Sequence, residues 1–168
     1  ELIPTEAEDF GTLVNLDFDM NKNLTAPSVF EFFTISLAKN LLGDELADLF
    51  VQIPDPIRDY YIYRILEEGP DHWVDDINTS QVETLDDIIF KSFKDGVKRL
   101  SESYGTDVSK WKWGTIHKIS LDHPMATVKI INRIFKLSSE KTGIGGSSHT
   151  VCPYSYKEGF IVTAGASE

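Results

Sequence analysis

The residues able to do chemistry fall into a few short clusters. Asp17, Asp19 and Asn21 alternate like the opening of a calcium loop, in which oxygen ligands surround a hard divalent cation. Such a loop needs Gly at its sixth position and Glu at its twelfth, and this chain has Lys22 and Ser28 there. An Asx-rich turn is the better reading. His117 and His123 stand six apart, and His149 precedes the lone Cys152 by three. Zinc needs three or four convergent ligands, so these histidines read as core or loop residues and no metal site is expected. The run Gly143-Ile144-Gly145-Gly146-Ser147-Ser148 could cradle an anion on backbone N–H groups. It lacks both the dinucleotide fingerprint and a P-loop lysine, so a flexible or closely packed turn is expected. Ser148 and His149 are neighbours in sequence, which does not make a nucleophile–base pair. Trp111-Lys112-Trp113-Gly114 could stack on a ligand ring, but alternate tryptophans more often pack. No nucleophile, base and oxyanion hole come together.

The elements that must position these residues are mainly helical. Residues 6–16 have helical apolar spacing. A strongly apolar helix is expected over Ser28 to Leu42, with Ser28 and Glu31 as a capping box and Gly43 as the stop. Asp55-Pro56 opens another that runs to Gly69, and Gly69-Pro70 starts a loop holding His72 and Trp73. Ser80 with Glu83 opens the longest helix, which Gly105 ends. Trp111 to Leu121 reads as weakly extended, Val128 to Leu137 as a short helix, and Thr142 to Ser148 as a loop. Two short strands are expected at Val151 to Tyr156 and Gly159 to Thr163. The reading is a single piece over 1–168, helical over 6–105 and mixed or extended over 106–168. Its fold class is mainly α with a small β portion (α+β).

Composition limits the partners. The 168 residues are 41% hydrophobic and include three Trp, ten Phe and six Tyr, ample material for a core. No apolar run approaches a membrane span. Sixteen Lys and Arg face twenty-seven Asp and Glu, a formal charge of −11, which repels nucleic acid and anionic lipid. One cysteine excludes an internal disulfide.

Four stretches in register resemble the penicillin acylase (penicillin amidase) family of N-terminal-nucleophile hydrolases. Trp113-Gly114-Thr115-Ile116-His117, then His123-Pro124-Met125, resembles its "WG-x-L-H … HPL" run. Asp17-Phe18-Asp19-Met20, with Ser28-Val29-Phe30 beyond, is similar to its "WD-G-x-M" turn and the helix after it. Leu100 to Gly105 ahead of Trp111 fits the end of a family helix. Gly145-Gly146, Thr150-Val151 and Gly165-Ala166-Ser167 resemble the closing "GG-x-x-x-TV … GAS" pattern. Leu16, Leu24 and Ser147 to His149 depart from it.

The resemblance implies a C-terminal-half fragment of the family's large chain and a parent with a four-layer αββα sandwich. The parent would hydrolyse an acyl-amide bond of a small N-acyl amine through an N-terminal Ser acyl-enzyme. The nucleophile, the oxyanion Asn and the calcium ligands of the parent would lie upstream, so no catalytic residue and no cofactor is assigned to this chain. Asp17, Trp113, Gly114, His117, His123, Pro124, Gly145, Gly146 and Gly165 carry the family motifs as structural residues. The expected partners are the remaining segments of the parent, with self-association of the fragment as a further expectation. Because the −11 charge opposes association, added salt is expected to strengthen it. A bacterial source would imply a periplasmic or secreted enzyme. The rival reading is a free-standing acidic helical module that binds a partner and has no enzymatic role.

Overall fold

The computed structural model describes residues 19–69, 72–80, 82–120, 122–147 and 150. Described residues fall into two compact units, one of residues 29–106 and one of residues 19–28 with 107–150. Among the described residues, secondary structure is mostly helical, with one small two-stranded sheet. The expected helix at 6–16 and strands at 151–163 lie outside the described residues, as do Asp17 and Gly165.

The first long helix, α1, spans Ala26–Leu46. It opens two residues before the expected Ser28, which therefore stands inside the helix and is not its cap. The Ser28 N–H donates to the Thr25 carbonyl at 3.0 Å, and Pro27 costs nothing in the first turn, where its N–H would be an orphan. Gly43 does not stop the helix either. An interior glycine costs only about 1 kcal/mol, and Leu46 and Phe50 still pack on the core beyond it. The helix gives way at Ala47, whose φ of 44° turns the chain into the 3₁₀ segment Ala47–Gln52.

Helix α2 spans Asp55–Glu68. Its cap position is Pro54, one residue before the expected Asp55, and the Pro54 carbonyl accepts from the N–H groups of Ile57 and Arg58. Gly69, at φ 96°, ends it as expected. The loop expected around His72 and Trp73 contains a 3₁₀ turn, His72–Val74.

Helix α3 spans Leu85–Tyr104 and is one residue shorter than α1, so it is not the longest. Its capping box is Thr84 with Asp87, not Ser80 with Glu83. Thr84 accepts from the Asp87 N–H, and Asp87 accepts from the Thr84 N–H at 3.0 Å. Glu83 instead ties the preceding loop, accepting from the Thr79 hydroxyl at 2.8 Å and the Asp76 N–H at 3.1 Å. Gly105, at φ 82°, ends α3.

Burial follows from these helices. Leu37, Leu41 and Leu42 of α1 meet Ile65 of α2, Val74 and Ile88 of α3 in one cluster. Gly96 lets α3 approach α1 closely, since a Cβ there would lie 2.8 Å from the Phe33 nitrogen and 2.9 Å from the Phe32 carbonyl. Phe32 and Tyr104 meet edge to face beside this crossing, with centroids 6.2 Å apart.

The second unit is built of short pieces. Trp111 to Leu121 is not extended throughout: Trp113–Ile116 forms one helical turn, α4, and only Lys118–Ile119 is strand, β1. The Trp113 carbonyl captures the His117 N–H at 2.6 Å, closing that turn before a strand can start. Helix α5, Lys129–Phe135, lies within the expected Val128 to Leu137. Thr142–Gly143 is a strand, β2, rather than loop, and pairs antiparallel with β1 through Lys118 opposite Gly143 and Ile119 opposite Thr142.

Candidate functional site

The motif residues of the second unit converge on Trp113. Its indole is fully buried, and its N–H donates to the Gly146 carbonyl at 2.8 Å. The imidazole of His117, one helical turn on, is buried as well. It stacks on the indole with centroids 4.6 Å apart and planes 22° from parallel.

Backbone bonds tie three segments around this pair. The Trp113 N–H donates to the Leu24 carbonyl at 2.8 Å and the Gly114 N–H to the Lys22 carbonyl at 2.7 Å. The Gly146 N–H donates to the Met20 carbonyl at 2.9 Å, and the Ile144 N–H to the His117 carbonyl at 3.1 Å. The glycines are required by contact. A Cβ on Gly145 would sit 2.7 Å from the Met20 oxygen, and one on Gly114 would sit 2.8 Å from Lys22 Cβ. A Cβ on Gly143 would collide with the Gly114 carbonyl. These residues therefore bring residues 20–24, 111–119 and 142–147 to backbone contact. Within the Gly-rich run, residues 143–147 pack closely, and the Gly146 N–H is already bonded, as is the Ser147 N–H, which donates to Thr150 Oγ1 at 2.9 Å.

His123 and Pro124 lie apart from this knot in role. His123 Nδ1 accepts from the Met125 N–H at 3.2 Å, capping the 3₁₀ turn Pro124–Thr127, in whose first turn Pro124 stands. Accepting at Nδ1 leaves the proton of a neutral ring on Nε2.

The sequence reading missed what residues 20–24 do: a polar turn there lends its carbonyls to the Trp-Gly pair. It also missed a half-buried polar bridge in the first unit. Asn40 Nδ2 donates to Ser92 Oγ at 3.0 Å and to Asp95 Oδ2 at 3.1 Å. The available signal was Asn40 and Ser92, polar residues interrupting apolar helical stripes. A cleft of about 240 Å³ opens beside this bridge, edged by Lys39, Lys98, Arg99 and Glu102.

The shifted carboxylates are structural. The Asn78 N–H holds the Asp76 carboxyl below its ordinary value, assisted by the Asn78 side chain and Lys91. The Thr84 hydroxyl and N–H do the same for Asp87, and the Ser109 hydroxyl and N–H for Asp107. Among the described residues, no three His, Cys, Asp or Glu side chains converge to hold a metal. No helix among them is long and apolar enough to cross a membrane.

A family model described as penicillin amidase matches residues 2–168, almost the entire sequence and all four motifs. The chain belongs to the penicillin amidase family. No curated protein and no solved structure matches it. Penicillin amidase membership supports a penicillin-acylase-like hydrolase at the level of the family. Trp113, Gly114, His117, Gly145 and Gly146, on which the sequence resemblance rests, all belong to the backbone knot.

Proposed function

We propose that residues 1–168 are a scaffold portion of an acyl-amide hydrolase whose nucleophile lies outside them. The observation that carries this reading is the use made of the motif. Trp113 and His117 are buried against each other, and Gly114, Gly143 and Gly145 sit against backbone with no room for a side chain. Groups so enclosed hold segments together and do not meet a substrate.

In the parent, an N-terminal Ser hydroxyl attacks the carbonyl of a small N-acyl amine. Its α-amine takes the hydroxyl proton and passes it to the leaving amine, and water then releases the acid from the acyl-enzyme. An oxyanion hole of backbone N–H and an Asn side chain holds the developing charge. These groups, with the calcium ligands of the parent, lie outside this stretch. The parent forms a four-layer αββα sandwich, to which α1, α2 and α3 contribute a helical layer.

Covalent labelling tests this. The purified enzyme from the gene that encodes this stretch is treated with a serine-directed sulfonyl fluoride and mapped by mass spectrometry. A stoichiometric adduct on an N-terminal Ser outside residues 1–168 is expected. An adduct on Ser147 or Ser148 would overturn the reading.

A further inference from the structure

The formal charge of −11 is unevenly distributed. Residues 29–106 carry seven Lys and Arg against sixteen Asp and Glu, whereas residues 107–168 carry eight against five. Three of these cations stand beside exposed apolar side chains. On α5, Ile130 and Ile134 lie one turn apart at 74% and 66% exposure, and Phe135 follows at 67%. Lys129, Arg133 and Lys136 flank them, and none of the three is ion-paired among the described residues. Single exposed apolar residues are ordinary, but three on one basic seven-residue helix form a patch.

The opposite chemistry occurs on α2. Tyr60, Tyr61, Arg64, Glu68 and Trp73 line a cleft of about 650 Å³. Arg64 is engaged within it, paired to Glu68 at 2.6 Å and lying over the Tyr60 ring. Tyr60 and Tyr61 stand half exposed, edge to face at 5.7 Å, with the acidic Glu67 and Glu68 alongside.

We propose that α5 of one copy docks in the α2 cleft of a second copy. Ile134 and Phe135 enter the aromatic cleft, while Arg133 and Lys136 meet Glu67 and Glu68. Two different surfaces meet in this contact, and each copy carries one of each, so every copy can both insert and receive. Opposed charges draw the surfaces together, so salt weakens the contact. That reverses the dependence expected from net charge alone.

Sedimentation of the full chain tests the proposal. The wild type is expected to gain mass with concentration, less so at high salt. Ile134→Asp spoils the inserted side and Tyr61→Asp the receiving side; both residues are exposed, so far-UV circular dichroism should match wild type. Each variant alone is expected to be monomeric, and their mixture to give a one-to-one heterodimer that grows no further. A second pair guards against misfolding: Arg133→Glu weakens assembly, and mixing it with Glu67→Lys restores it. A wild type monomeric at every concentration, variants that associate undiminished, or a mixture that stays monomeric would each overturn the proposal.

Discussion

The imidazole of His117 lies against the indole of Trp113, 4.6 Å between centroids, with both rings shut away from water. The indole N–H reaches past this stack to the Gly146 carbonyl. One tryptophan thus joins a helical turn to the Gly-rich run that follows thirty-three residues later. Trp113→Phe removes that hydrogen bond and part of the ring's packing, so a loss of about 2–4 kcal/mol is expected. Urea unfolding followed by circular dichroism measures it. A loss under half a kcal/mol would mean the knot does not depend on Trp113.

Glycines 43 and 96 are both helical, yet their alanine variants should move stability in opposite directions. A Cβ at Gly96 meets Phe32 and Phe33 backbone inside 3.0 Å, forcing α1 and α3 apart at a cost of about 1–3 kcal/mol. A Cβ at Gly43 meets only the Lys39 Cγ at 3.4 Å, and Gly43→Ala should stabilise by about 0.5–1 kcal/mol. Thermal melts of both variants decide it. The same sign for both would contradict the close approach at Gly96.

Thr84 exchanges hydrogen bonds with Asp87 at the start of α3. Thr84→Ala should cost about 1 kcal/mol. Ser80→Ala, at the sequence-expected cap, should cost a few tenths or less, as an exposed residue outside the helix. Denaturant midpoints compare the two, and an equal loss would restore Ser80 as the cap.

Asp76 accepts from the Asn78 N–H and pairs with Lys91, which holds its carboxyl below the ordinary value in the folded chain. A depressed folded value adds stability above the unfolded pKa and loses it as pH falls through the folded one. Asp76→Asn should therefore be less stable than wild type at neutral pH, with the gap closing in acid below the ordinary carboxylate range. Melts across an acid series read this directly. A gap that stays constant with pH would contradict it.

What was legible in the sequence divides by physical cause. Helices α1, α2 and α3 follow from apolar spacing of many residues, and Gly69 and Gly105 end two of them because both adopt positive φ. Their starts were less legible. Ser80 with Glu83 and Thr84 with Asp87 offer the same pattern four residues apart, and only the loop held by Glu83 decides between them. Around Trp113 the alternation suggests strand, but one hydrogen bond from His117 to the Trp113 carbonyl closes a helical turn. The motif was legible, but its geometry was not. Met20, Lys22 and Leu24 take part through their carbonyls, which side-chain identity does not encode.

The most direct test of the central claim, that the motif residues hold the scaffold and do no chemistry, is an amidase assay. The purified chain, with its folded state verified by near-ultraviolet circular dichroism, is incubated with a chromogenic phenylacetyl amide. No turnover above the buffer blank is expected, in the wild type and in Ser147→Ala and Ser148→Ala alike. Turnover that survives extensive purification and disappears in either serine variant would contradict it.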